Sequence, residues 1–317
     1  MADDDRKDEF FELLKRLHNR GRWGEDDELG ALNHITPAKR AAAASLVRKG
    51  ATFSLGLPLE SGVGPQDGAA GRVNPMHFMT ATGCDPRTGF DLGGGASFTD
   101  DFIGLSVQGS TQWDALCHVY YEDELYNGAP ASCVDSQGAS RNGIDKVHDQ
   151  FVSRGVLIDA PALRGVDCLG PGEAITTADL EAAEERQGVR VERGDVLLVR
   201  TGHIRRAGPD FKDWATYKSV AEPGLHWETA EWLADREVAA VAADNTMVEA
   251  AGVFSDIYVP FHMLALTNLG IHLGEFWNLE GLAADCAADG VYECLLVAQA
   301  LRIDGGTGSP LNPLALK

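Results

Sequence analysis

Three short runs constrain this chain most: GVLIDA at 155–160, GDVLLVRTG at 194–202 and VAAVAADN at 238–245. A strand with one wet face alternates apolar and polar residues. These runs are nearly continuous in apolar residues, as expected of strands covered on both faces in a sheet flanked by helices. The stretches between them supply the helices. Thr177 caps a helix at 178–187 that Gly188 ends, and PGLHWETAEWLADR at 223–236 reads as another. Strand, helix, strand, helix, strand in that order predicts an α/β fold with parallel pairing. A length of 317 residues allows one domain or two. No linker or repeat marks a boundary, so a single domain over 1–317 is expected, with an N-terminal helical arm over about 1–50.

The flanks carry weaker signals. Phe10, Phe11, Leu13, Leu14 and Leu17 predict an amphipathic helix over 7–20, and 22–37 reads as an ordered, irregular arm. Thr36 and Pro37 open a helix running to about Arg48, with Gly50 ending it. TFSLGLPLE at 52–60 reads as a strand. Residues 61–101 are rich in Gly and Pro and read as loops around one strand, MHFMTATG, which carries His77. GGGAS at 93–97 is a turn rather than a phosphate loop, because no Lys-Ser/Thr follows. GLAADCAAD at 281–289 reads as a short helix or turn, and 291–303 as a long final strand or two joined.

Charge and cysteine usage narrow the function classes. The net charge is −21, from 48 acidic and 27 basic residues, which argues against nucleic acid or an anionic membrane as partner. No apolar run approaches the ~20 residues of a membrane span. The six cysteines form no CxxC pair and the first residues resemble no secretory signal, so free thiols and a cytoplasmic setting are expected.

Two segments look organised for chemistry. In SVQGSTQWDALCHVYYEDELYNG (106–128), Asp114 and His118 stand four apart, a carboxylate and an imidazole suited to acid/base work or metal binding. In 256–280, His262 and Glu275 flank an apolar stretch and a turn, a spacing that suits two adjacent elements ending at one pocket. Each pair also has a plain structural reading: Asp114 as a helix cap, His118 and His262 as core histidines, Glu275 on the surface. His77 is a candidate substrate contact, and Trp113 is either a wall for an aromatic or cyclic substrate or equally a core residue. Cys117 reads as a buried small side chain rather than a nucleophile, and Glu249 as a packing or capping group.

Segment 108–118 resembles the signature of the cyclase family, metal-dependent hydrolases of the kynurenine formamidase and isatin hydrolase type. The family pattern runs His-x-Gly-Thr-His-x-Asp-x-x-x-His. Here the register reads Gln108-Gly109-Ser110-Thr111-Gln112-Trp113-Asp114-Ala115-Leu116-Cys117-His118, so Thr, Asp and the last His match. WGEDDELGALN at 23–33, VAADN at 241–245, the His262 and Glu275 pair, and GGTGSPLNP at 305–313 are similar too. The resemblance implies a swivelling β/β/α domain with a mixed sheet, often in a homo-oligomer. It implies Asp114, His262 and Glu275 as metal ligands, His118 as proton donor and acceptor, and a metal-activated water that attacks an amide or ester carbonyl.

The sequence departs from the pattern at Gln108 and Gln112, where the family has histidines. A neutral amide oxygen is a poor zinc ligand, and an oxygen-rich donor set favours manganese or magnesium over zinc. The expectation is one divalent ion at most, manganese or zinc, or none. Without a metal, His118 would act as general base assisted by Asp114, with Gln108, Thr111 and Gln112 as neutral donors to an oxyanion. The function expected is hydrolysis of an amide, formamide or cyclic amide C–N bond in a small molecule. A lactonase, a ring-closing or dehydrating enzyme of secondary metabolism, and a metal-free binding protein stand as alternatives.

Overall fold

The structure, a computed structural model, describes residues 3–68, 71–84 and 92–317, with side chains from Arg6 onward. The first half holds α1 (Asp3–Arg16), α2 (Pro37–Ala44), β1 (Thr52–Ser54), β2 (Met76–Ala81), β3 (Asp100–Gly104) and β4 (Gln112–Asp114). A small hairpin of β5 (Val134–Asp135) and β6 (Gly138–Ala139) follows, then β7 (Val152–Asp159), α3 (Ala160–Arg164), β8 (Ala174–Ile175) and α4 (Thr177–Gln187). Next come β9 (Val196–Arg200), α5 (Trp214–Lys218), β10 (Gly224–Leu225), α6 (Thr229–Asp235), β11 (Ala240–Ala243) and α7 (Pro260–His262). The chain closes with β12 (His272–Glu275), α8 (Glu280–Asp289), β13 (Glu293–Val297), β14 (Gly308–Pro310) and β15 (Leu314–Leu316).

Nine strands form one mixed sheet in the order β1-β15-β13-β7-β9-β11-β12-β4-β14. The inner four, β7, β9, β11 and β12, are parallel, and antiparallel strands extend both sides. The three apolar runs are β7, β9 and β11, as the sequence predicts. Alternate residues feed two cores. Val156, Ile158, Leu197, Val199, Val241 and Leu273 pack under the helices of one face. Leu157, Val196, Leu198, Ala240 and Ala242 pack with Trp113 and Trp277 on the other. The outcome is an α/β protein with a mixed sheet, in keeping with a cyclase-like fold. No helix among the described residues is long and apolar enough to cross a membrane.

Several boundaries differ from the sequence expectations, each for a local reason. The first helix begins at Asp3 and stops at Arg16. The helix at Pro37 ends at Ala44, although Thr36 caps it as expected, accepting from the Lys39 N–H. The strand expected over 52–60 covers only Thr52–Ser54, where it pairs with β15; Gly56 and Pro58 lie beyond it. Thr176, not Thr177, caps α4 through a reciprocal box with Asp179, and Gly188 ends it in the left-handed conformation. The helix expected over 223–236 is shorter, because Gly224 and Leu225 pair with β8 instead. The final strand stops at Val297. MHFMTATG is β2 over Met76–Ala81, and it pairs with β3, a partner the sequence reading treated as loop. The loop expected across 84–97 lies partly outside the described residues, at 85–91.

Candidate metal and acid–base site

Register places the site. Across β4 and β12, Gln112 stands opposite Glu275 and Trp113 opposite Gly274. Side chains alternate along a strand, so Gln112, Asp114 and Glu275 share one face and Trp113 the other. Gly274 is required there: a Cβ would meet the Trp113 ring at 2.7 Å. The face lies at the C-terminal end of the parallel strands, where open α/β sheets bind ligands. His262 comes from above. It ends α7, which starts at Pro260 and runs on as a π-helix through Met263–Leu269. Such π-turns are frequent at functional sites.

The four side chains picked from the sequence converge. His262 Nε2 is 3.4 Å from Glu275 Oε1 and 3.9 Å from Asp114 Oδ2. His118 Nε2 is 3.8 Å from Asp114 Oδ1. Ligand atoms of Asp114, His262 and Glu275 lie within 4.8 Å of one another, and all three residues are buried. Gln112 Nε2 bridges the carboxylates, donating to Glu275 Oε2 at 2.6 Å and Asp114 Oδ1 at 3.3 Å. Behind His262, Glu249 accepts the Nδ1–H at 2.5 Å and the backbone N–H groups of Phe261 and His262. That fixes the ring with Nε2 facing the carboxylates, as an outer carboxylate does for metal-binding histidines.

The electrostatics mark an incomplete cluster. Asp114 is fully buried, yet among the described residues its Oδ2 has no hydrogen-bond partner, and neither has Gln112 Oε1. Buried polar atoms are normally paired. Burial pushes Asp114 up to about 6, against the pull of His118. Burial holds His118 below its ordinary value. Burial would lower His262 too, but Glu249 and Glu275 hold its proton and raise it to about 10. Two carboxylates, an imidazole and orphaned oxygens on one small volume suit a divalent cation, which would satisfy all of them.

Other candidates sit elsewhere. Trp113 is not a substrate contact: its ring stacks on Phe151 at 4.6 Å in the opposite core, and Nε1 donates to Ala298 O. Thr111 is committed to the scaffold, donating to Phe276 O at 2.6 Å and accepting from Leu57 N. His77 is exposed on the β2–β3 ribbon, paired with Asp101 at 2.8 Å, and is not among the residues that line the cleft. Gln108 contacts His118 Nδ1 at 3.4 Å and Thr307 Oγ1 at 3.2 Å, so it touches the histidine rather than the open cleft. Cys117 is buried, and burial pushes its thiol up to about 12, which removes it as a nucleophile. Glu249 is the functional side chain that sequence reasoning undervalued. A cleft of about 370 Å³ opens above His118, His262 and Glu275, walled by Tyr217, Phe276 and Tyr258, with Arg72 reaching in from the loop before β2.

Comparison with known proteins follows this geometry. The family model described as "Putative cyclase" matches residues 31–250. An isatin hydrolase of Roseibium aggregatum is 28% identical over 162 residues; the match spans 48% of this chain and only 57% of that enzyme. A solved structure described as a novel cyclase superposes with a TM-score of 0.86 at 41% identity, covering 95% of this chain and 100% of that one. Isatin hydrolase A from Ralstonia solanacearum superposes at 0.60 with 22% identity, over 89% and 97% of the two chains, and shares the fold. With well over half its length matched by the family model, this chain belongs to the cyclase family.

Proposed function

We propose that this chain is a metal-dependent hydrolase of an amide, formamide or cyclic amide C–N bond, working in the cleft over Asp114, His262 and Glu275. The observation that carries it is the orphaned Oδ2 of fully buried Asp114, set within 4.8 Å of two further ligand atoms. The name isatin hydrolase on relatives supports the hydrolytic reading. Asp114, Glu275 and His262 Nε2 would hold the ion, with Gln112 Oε1 free to join them. A divalent ion there supplies Lewis acidity and acidifies water. The oxygen-rich donors favour manganese over zinc, and one ion rather than two.

The chain's own residues do the rest. His118 is kept neutral by burial, so it is ready to take a proton. Gln108 decides where that ring keeps its own proton. In the structure the Gln108 amide nitrogen lies 3.4 Å from Nδ1 and donates to Thr307 Oγ1, so Nε2 serves as the base only with the amide turned to present its oxygen to Nδ1, which then keeps the ring proton. His118 then takes a proton from the attacking water and returns it to the leaving nitrogen. Glu249 holds His262 against rotation, and Gln112 separates two carboxylates that would otherwise repel. The test is turnover of a panel of formamides, cyclic amides and lactones with and without added manganese. Manganese-dependent hydrolysis of an amide supports the reading; no turnover of any amide with or without manganese contradicts it.

Self-association is part of the proposal. The β2–β3 ribbon exposes Met76, Phe78, Met79, Phe102 and Ile103. A lone two-stranded ribbon is marginal in water, and such apolar surface normally has a partner. A homo-oligomer joined through the ribbon is expected from sedimentation of the wild type, and a monomer from Phe78→Lys with Phe102→Lys. An oligomer unchanged by both substitutions would rule the ribbon out.

A further inference from the structure

The cationic side chains at the cleft are unequally employed. Lys218 is paired across the rim with Asp67 at 3.2 Å. Arg72 lines the same cleft as His118, His262 and Glu275, is half-buried, and has no hydrogen bond or ion pair among the described residues. Acidic residues outnumber basic ones by 48 to 27 in this chain, so carboxylates to pair with are plentiful. A guanidinium that takes none of them, and faces a cavity, has its five donors available to a ligand. Its charge also reaches the reacting groups, lowering both Asp114 and His118. The same cleft also has an apolar and aromatic lining, with Val259, Met247, Phe276 and the exposed ring of Tyr258.

From this arrangement we infer that Arg72 is a specificity-determining residue, and that the substrate is an amide carrying a carboxylate beside an apolar or aromatic body. The inference rests on the hydrolase reading above and narrows it. The carboxylate docks on the Arg72 fork while the amide carbonyl lies over Glu275 and His262. A neutral isostere leaves the guanidinium facing an empty site and binds more weakly.

The test uses a matched pair, N-formyl-L-phenylalanine and N-formyl-2-phenylethylamine, which differ only in the carboxylate. Formate release is followed for the wild type, Arg72→Ala and Arg72→Lys in the presence of manganese. The wild type is expected to favour the carboxylate substrate by about 10- to 100-fold in kcat/KM, the range of a charge-assisted bond. Arg72→Ala should erase that preference through a raised KM for the carboxylate substrate, with a markedly smaller change on the neutral one, and Arg72→Lys should recover part of it. Equal use of both substrates by the wild type, or an equal loss on both in Arg72→Ala, overturns the inference. Calorimetric binding of 3-phenylpropionate reads Arg72 without turnover, so a failure of hydrolysis is distinguishable. Binding at least about 10-fold weaker in Arg72→Ala supports the inference even if neither amide is cleaved. Equal affinity, or no binding by the wild type, contradicts it.

Discussion

Asp114 and Asp244 are the same side chain in the same state of burial, and burial raises each to about 6. Their surroundings differ. Asp244, just past β11, accepts from Thr201 N at 2.8 Å, Thr201 Oγ1 at 2.6 Å and Gly202 N at 2.7 Å. Asp114, on β4, has among the described residues one oxygen without a hydrogen bond and one hydrogen bond to the other, from Gln112 at 3.3 Å, with the two histidines no nearer than 3.8 Å. Two histidines repeat the contrast. His262 is gripped by Glu249 and faces Glu275, and it is raised to about 10. His272 is buried with an orphaned Nδ1, and burial alone lowers it to about 3. Satisfied, Asp244 ties one loop to a strand. Unsatisfied and set within 4.8 Å of ligand atoms of His262 and Glu275, Asp114 is kept for a ligand, because an idle buried carboxylate costs stability that a purely structural site would not retain.

Breaking the contrast at its functional end has the largest expected effect. His118→Ala should lower kcat by about 10²–10⁴-fold. Asp114→Asn should lower it at least as much, with no loss of thermal stability in the metal-free protein. The neutral isostere relieves an unsatisfied charge. A large drop in melting temperature for Asp114→Asn would make Asp114 a structural residue like Asp244. Glu249→Gln should weaken manganese binding by about 10–100-fold, as loss of an outer carboxylate does, while the fold persists. Unchanged affinity would reduce Glu249 to a cap of α7.

At the structural end the effects are smaller and of another kind. Asp244→Asn turns an amide donor towards donors already aimed at it, and should cost about 1–3 kcal/mol in denaturant unfolding. Activity per folded molecule should stay within a few-fold. The smallest effect is on pH dependence. His272 binds its proton near pH 6.5 when unfolded and only near 3 when folded. Between those values the unfolded chain holds the extra proton, so stability falls as pH falls. At pH 5 this amounts to about 2 kcal/mol relative to neutral pH. His272→Phe, beside Phe151, should remove that part of the slope; an unchanged slope would mean that the histidine is not buried neutral.

How much of this was legible in the sequence depends on how local the cause is. β7, β9 and β11 were readable because a strand buried on both faces writes its condition into consecutive residues. So was the caps' chemistry at Thr36 and Gly188. β4 is only three residues long, too short for alternation to show, so the sequence left Trp113 open between a substrate wall and the core. Pairing with β12 sets the two faces apart. His77 looked like a site residue because its loop-rich neighbourhood suggested a cleft, whereas β2 pairs with β3 and carries it outwards. The convergence of Asp114, His118, His262 and Glu275 came through resemblance, since no local pattern reveals that β4 lies beside β12. Glu249 and Arg72 are lone charged residues in sequence, and only their positions in space give them meaning.

The most direct test is metal stoichiometry. Wild type and Asp114→Asn would be equilibrated with manganese, freed of excess ion and analysed for metal and protein together. One manganese per wild-type chain and none in Asp114→Asn is the predicted result. Equal metal in both proteins, or two zinc ions tightly retained by the wild type after purification without chelator, would contradict it.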